Sequence, residues 1–148
     1  MRFGKMILLA LGMSLAVYAA GDPFVGKWNL NVEKSKYHPG PAPKSETVTI
    51  GEDHTVKVNE TDANDKPVSW SYGMAEGKTA PITGMGAGSS VIAKQTGNTV
   101  AHTWNMNGKT STGKGVISKD GKTMTYRIKG TGQDGKPMNN VLILEKEQ

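Results

Sequence analysis

The chain has 148 residues, with 18 lysines and arginines against 13 aspartates and glutamates, and it contains no cysteine. The formal charge of +5 is spread along the sequence rather than clustered with aromatic residues, which argues against a nucleic-acid partner. The absence of cysteine excludes a disulfide-stapled fold and a cysteine-containing zinc site.

The N-terminal segment has the pattern of an export signal. Two basic residues precede an apolar stretch, residues 6–17, which is followed by small side chains. We predict a signal peptide over residues 1–19, cleaved after Ala19 or Ala20, and a periplasmic or extracellular location in a bacterium. No later segment is long and apolar enough to span a membrane, so residues 20–148 are expected to form a single domain.

Short runs of alternating apolar and polar residues, separated by turns rich in Gly, Asn and Asp, follow one another through the rest of the chain. The predicted strands are residues 24–31, 47–50, 55–61, 68–72, 80–83, 90–95, 99–107, 109–118, 123–130 and 138–146. Such a series with hairpin-short connections favours an all-β fold, an antiparallel up-and-down β-barrel of about 8–10 strands, with a β-sandwich as the alternative.

Two connections differ from tight hairpins. Residues 32–37 are compatible with one helical turn, and the prolines that follow favour an extended crossover or lid. Residues 84–88 are rich in glycine and predict a flexible connection. A phosphate-binding loop is not favoured there, because a strand rather than a helix follows.

Gly26, Lys27 and Trp28 on the first predicted strand resemble the Gly-x-Trp motif that opens lipocalins and related calycin barrels. The resemblance implies a calycin-like barrel in which Gly26 and Trp28 close one end. The lipocalin arginine that packs over this tryptophan would have to be Arg127, the single arginine of the predicted mature chain. Strand alternation, however, places Arg127 on the face opposite Tyr126.

The predicted mature chain also resembles a set of small secreted bacterial proteins of unassigned function. The similar segments are residues 28–31, 34–37, 40–45, 66–72 and 120–125. This resemblance implies export from a bacterial cell, but it implies no particular activity, because the similar proteins have no assigned function.

Alternation places a set of aromatic and polarisable side chains on the predicted interior face, and these are the candidate ligand-binding residues: Trp70, Tyr72, His102, Trp104, Met106 and Tyr126. They predict a small hydrophobic or aromatic ligand in the barrel interior. The alternative is a structural or interaction protein of the bacterial envelope with a filled core, since apolar residues make up only about 30% of the predicted mature chain.

No catalytic, metal or cofactor site is predicted. His38, His54 and His102 are not spaced as metal ligands, and no nucleophile motif occurs. A third reading, isomerisation or cyclisation with His102 and Tyr126 as acid and base, remains open. Protonation of His102 near pH 6.5 is expected to release a ligand on mild acidification.

Overall fold

The computed structural model describes residues 21–148, and the predicted signal peptide lies outside them. Within this range the chain forms ten strands and no helix. The strands are β1 (Gly26–Leu30), β2 (Ser45–Ile50), β3 (Thr55–Thr61), β4 (Pro67–Gly73), β5 (Thr79–Pro81), β6 (Ser90–Thr96), β7 (Thr99–Met106), β8 (Lys109–Ile117), β9 (Thr123–Thr131) and β10 (Pro137–Lys146). The predicted strand series is therefore confirmed, with end differences of one to a few residues.

The strands form one antiparallel sheet in the order β4-β3-β2-β1-β10-β9-β8-β7-β6-β5. The two edges meet at Ser71 and Thr83, whose backbone amides donate to each other's carbonyls over 3.0 and 2.9 Å. The fold is thus a nearly closed up-and-down barrel of the calycin type. The sandwich alternative is wrong, because the ten strands belong to a single sheet rather than to two.

The tight hairpins form where the sequence supplies residues that tolerate a positive φ. At the β7–β8 turn, Asn107 and Gly108 have φ values of 53° and 83°. Asn and Gly adopt this left-handed region most readily, and two such residues give the turn whose twist matches that of the flanking strands. Polar turn residues thus bring each strand back beside its predecessor.

The segment between β1 and β2 is a strap along β10 and not a helix. Its one turn is closed by the Ser35 amide, which donates to the Val32 carbonyl over 3.2 Å. Lys36 then pairs with Val141 through two backbone hydrogen bonds of 2.7 and 2.8 Å. The strap therefore continues the pairing that β1 begins and directs the next residue, Tyr37, towards the barrel interior.

Trp28 is the most deeply buried side chain, with 0% exposure. Its Nε1–H donates to the Phe24 carbonyl over 2.8 Å, and the Lys146 ammonium lies 5.1 Å from the centre of its ring. The cation over Trp28 is thus Lys146 of the last strand, whereas Arg127 is exposed on the outer face of β9. The closure of one barrel end by Gly26 and Trp28 stays a prediction.

Candidate functional site

The barrel encloses a cavity of about 450 Å³ that is lined mainly by apolar and aromatic side chains. Pockets for small molecules commonly have volumes of about 300–1,000 Å³. All the predicted ligand-binding residues line this cavity: Trp70, Tyr72, His102, Trp104, Met106 and Tyr126. Gly26 and Trp28 do not line it. The structure therefore brings the six candidates together, while their binding of a ligand stays a prediction.

A chain of hydrogen bonds joins four of these side chains through the His102 ring. The Tyr72 hydroxyl lies 3.1 Å from Nε2, and the Tyr126 hydroxyl lies 3.2 Å from Nδ1. Trp104 Nε1–H donates to the Tyr126 hydroxyl over 2.8 Å. Packing supports this arrangement, because the His102 and Trp104 rings stack with their centres 4.9 Å apart.

This chain of hydrogen bonds has one more N–H or O–H donor than it has hydrogen bonds. With neutral His102, it contains four N–H or O–H donors and three hydrogen bonds. If Nε2 carries the ring proton, the Tyr72 O–H is left over; if Nδ1 carries it, the Tyr126 O–H is left over. Both tyrosines line the cavity. One phenolic proton is therefore free to be donated to an acceptor on a ligand.

Burial keeps His102 neutral. The ring is 7% exposed, and desolvation lowers its pKa from 6.5 to about 4. Burial also raises the pKa of the Tyr72 and Tyr126 hydroxyls above the ordinary value. The expected titration of His102 near pH 6.5 is therefore wrong, because the ring lies in an environment that disfavours its charged form.

Glycines of β8 make the room that Tyr126 occupies. Gly113 and Gly115 lie on the interior face beside Tyr126, and a Cβ on Gly113 would overlap the Tyr126 hydroxyl. A Cβ on Gly115 would lie 3.1 Å from the Tyr126 ring and 3.0 Å from Val100. These glycines are needed for space rather than for backbone conformation, and the phenol can therefore lie flat against β8.

Trp70, Tyr72 and Trp104 form an aromatic wall of the cavity. The Trp70 and Tyr72 rings stack with centres 5.9 Å apart, and each meets Trp104 edge to face at 5.6 and 5.3 Å. Edge-to-face pairs hold aromatic rings in defined orientations, which gives this side of the cavity a fixed shape.

Three acidic residues that the sequence analysis missed also line the cavity: a pair on the strands, and Asp62 just after β3. Glu46 on β2 and Glu60 on β3 are direct cross-strand partners. Burial raises the pKa of Glu46 well above its ordinary value, and the charge of Glu60 adds to the effect. Burial also raises the pKa of Glu60. Strand alternation could have predicted this pair. Glu46 lies two residues before Val48 and Glu60 lies two residues after Val58, so each glutamate shares the interior face of its valine.

Tyr37 brings a further polar group to the same region. Its hydroxyl is buried, lines the cavity side of the strap and has no hydrogen-bond partner. Burial raises the pKa of this hydroxyl, with further contributions from the charges of Glu46 and Glu60. An unpartnered buried hydroxyl is costly and rare, so it indicates a place where a ligand or water completes the hydrogen bonding.

The carboxyl pair lies near the barrel end formed by the β3–β4, β7–β8 and β9–β10 turns. The exposed Gln133 of the β9–β10 turn belongs to the cavity lining, so the cavity reaches the surface at this end. Met85 of the glycine-rich segment lines the cavity as well. In the described part of the chain this segment joins β5 to β6 and precedes a strand, as expected.

Within residues 21–148, no three side chains among His, Cys, Asp and Glu cluster as metal ligands. The same residues contain no helix with the length and apolar character needed to cross a membrane.

Comparison with solved structures identifies several proteins of the same fold. A Schistosoma mansoni fatty acid binding protein in complex with arachidonic acid is 14% identical, with a TM-score of 0.55 over 86% of this chain and 98% of that chain. The zebrafish ileal bile acid-binding protein complexed with cholic acid is 15% identical, with a TM-score of 0.53 over 84% and 99%. Echinococcus granulosus fatty-acid-binding protein 1 is 10% identical, with a TM-score of 0.51 over 85% and 98%.

At these identities the similarity shows the fold alone. No protein-family model matches the chain, and no curated protein matches it in sequence.

Proposed function

We propose that this protein is an exported, non-catalytic barrel that binds a small, partly apolar molecule in its interior. The observation that carries the proposal is the cavity of about 450 Å³, with its aromatic wall and mainly apolar lining. Its size and lining match those of small-molecule sites. The solved structures of the same fold include binding proteins for a fatty acid and a bile acid, and this supports an apolar ligand.

The cavity argues against the filled-core alternative, because packed protein cores leave few voids larger than a water molecule. The site also argues against the acid–base alternative at neutral pH. Efficient general acids and bases have pKa values near the working pH. Burial lowers the pKa of His102 to about 4 and raises that of Tyr126. The pair therefore serves better as a fixed hydrogen-bonding surface than as a catalyst.

A pair of neighbouring substitutions tests ligand binding. Val48 lines the cavity, whereas Thr49 is exposed on the outer face of the same strand. Val48→Trp should fill the cavity and abolish saturable binding of a hydrophobic fluorophore, while Thr49→Trp should leave binding unchanged. If Val48→Trp does not fold, Met106→Trp fills the cavity from β7. Equal binding by a folded cavity variant and by Thr49→Trp would overturn the proposal.

Export rests on residues 1–20 and has its own test. Expression of the full chain in a bacterium, followed by fractionation, should give a periplasmic or secreted protein whose mass corresponds to cleavage after Ala19 or Ala20. A full-length chain retained in the cytoplasm would contradict export and leave the binding proposal untouched.

A further inference from the structure

The carboxyl pair of Glu46 and Glu60 has no cationic partner in the described part of the chain. The ion pairs there lie on the outer surface, as between Lys27 and Glu147 or Lys34 and Glu145. Glu46 and Glu60 instead face the cavity from adjacent positions on β2 and β3. Both side chains are half-buried, and burial together with the nearby Glu60 raises the pKa of Glu46, so without a cation the pair retains a proton. A cation in the cavity would favour loss of that proton and would complete the pair.

The rest of the cavity supplies no compensating charge. Its lining contains neither lysine nor arginine and includes a third acidic residue, Asp62. His102 is kept neutral by burial. A carboxylate ligand would therefore be repelled by the acidic side chains and would find no cation to bind it. A cationic ligand would itself be the partner that the carboxyl pair lacks.

The local geometry also suits an ammonium group. The ammonium carries three N–H donors and no acceptor. Near the carboxyl pair the strap contributes the buried, unpartnered Tyr37 hydroxyl, whose oxygen can accept a hydrogen bond. Glu46, Glu60 and Tyr37 thus provide three acceptor groups in one region of the cavity. The aromatic wall adds ring faces that attract a cation.

On the premise that the cavity binds a ligand, we propose that this ligand carries an amine, bound as the ammonium by Glu46, Glu60 and the Tyr37 hydroxyl, with its apolar part along the aromatic wall. The inference specifies the head group of the ligand. It also distinguishes this cavity from one that binds a fatty acid by its carboxylate, because such a cavity needs a cationic or donor-rich site for the head group.

A series of probes with one tail and different head groups tests the inference. Decylamine, decanol and decanoate are titrated into the wild-type protein by calorimetry at neutral pH. Decylamine should bind at least about tenfold more tightly than decanol, as expected for one charge-assisted contact, and decanoate should bind most weakly. Binding of decanoate as tight as that of decylamine would overturn the amine inference alone. Failure of all three to bind would count against both the inference and the proposed function.

Matched variants locate the effect. Glu46→Gln/Glu60→Gln removes both carboxyl groups from the cavity, and the control Glu33→Gln/Glu52→Gln removes two exposed ones. The cavity variant should lose the preference for decylamine over decanol while still binding decanol, and the control should keep it. If the double cavity variant fails to fold, Glu46→Gln alone should reduce the preference. A preference unchanged in a folded cavity variant would overturn the inference.

Discussion

Tyr126 lies directly over Gly113, in a space that even a methyl side chain on Gly113 would fill. Gly113→Ala should therefore displace the phenol and break its hydrogen bonds to Trp104 and His102. We expect a loss of about 1–3 kcal/mol in the free energy of unfolding, because buried donors lose their partner. Denaturant unfolding measures it. Gly73→Ala is the control, since nothing lies near a Cβ there; equal midpoints for the two variants would contradict this placement of Tyr126.

The lowered pKa of His102 predicts a pH-dependent stability. Since the folded state binds the ring proton more weakly than the unfolded state, the stabilising contribution is complete above pH 6.5 and is lost as pH falls towards about 4. The loss should approach about 3 kcal/mol, at roughly 1.4 kcal/mol per pKa unit. His102→Gln keeps a donor and an acceptor but does not titrate, so its stability should fall less across this window. Parallel stability curves for wild type and variant would contradict the prediction.

Glu46 should have the opposite pH dependence. Its folded pKa is raised by burial beside Glu60, with Tyr37 and Tyr126 also near it. The folded state therefore holds the proton more tightly, and stability falls as pH rises above about 4.5, the ordinary value. Glu46→Gln should stabilise the unliganded protein by about 1–3 kcal/mol at pH 8, and by little at pH 4. Thermal unfolding at both pH values measures the difference; no stabilisation at pH 8 would show that the carboxyl is not desolvated.

Trp28→Ala should destabilise the barrel by about 3–5 kcal/mol, because it empties a fully buried site and removes the hydrogen bond to Phe24. Val116→Ala is the control, since Val116 is 38% exposed on β8. Urea unfolding should separate the two variants clearly. A Trp28 variant as stable as the control would mean that this side chain does not anchor the core.

The architecture was predictable because apolar and polar residues alternate between the inner and outer faces of each strand, and pairs such as Asn107-Gly108 mark the turns. The same alternation correctly placed the six candidate residues on the interior face, where they line the cavity. Glu46 and Glu60 followed the same alternation and were missed because a glutamate is ordinarily expected to face solvent. Once alternation is taken as the stronger signal, both can be placed inside.

Other features depend on distances that a single sequence does not contain. The contact between Gly113 and Tyr126 requires the register of β8 on β9, and an open cavity rather than a filled core depends on barrel diameter and strand tilt. The pKa of His102 depends on how completely neighbouring strands cover it. Pattern alone therefore left the open cavity undetermined, and it gave His102 the ordinary pKa near 6.5 instead of the lowered one.

A single pair of residues, Ser71 of β4 and Thr83 just after β5, closes the barrel, so the chain can be rearranged at this boundary. Around the barrel, chain order is continuous, and β1 pairs with β10 so that the Glu147 amide donates to the Lys27 carbonyl over 2.8 Å. A circular permutant that links residues 21 and 148 through a short flexible peptide, and begins anew between β4 and β5, would retain all nine strand ladders. It would place its new ends at the one boundary where the barrel is held by only two backbone hydrogen bonds.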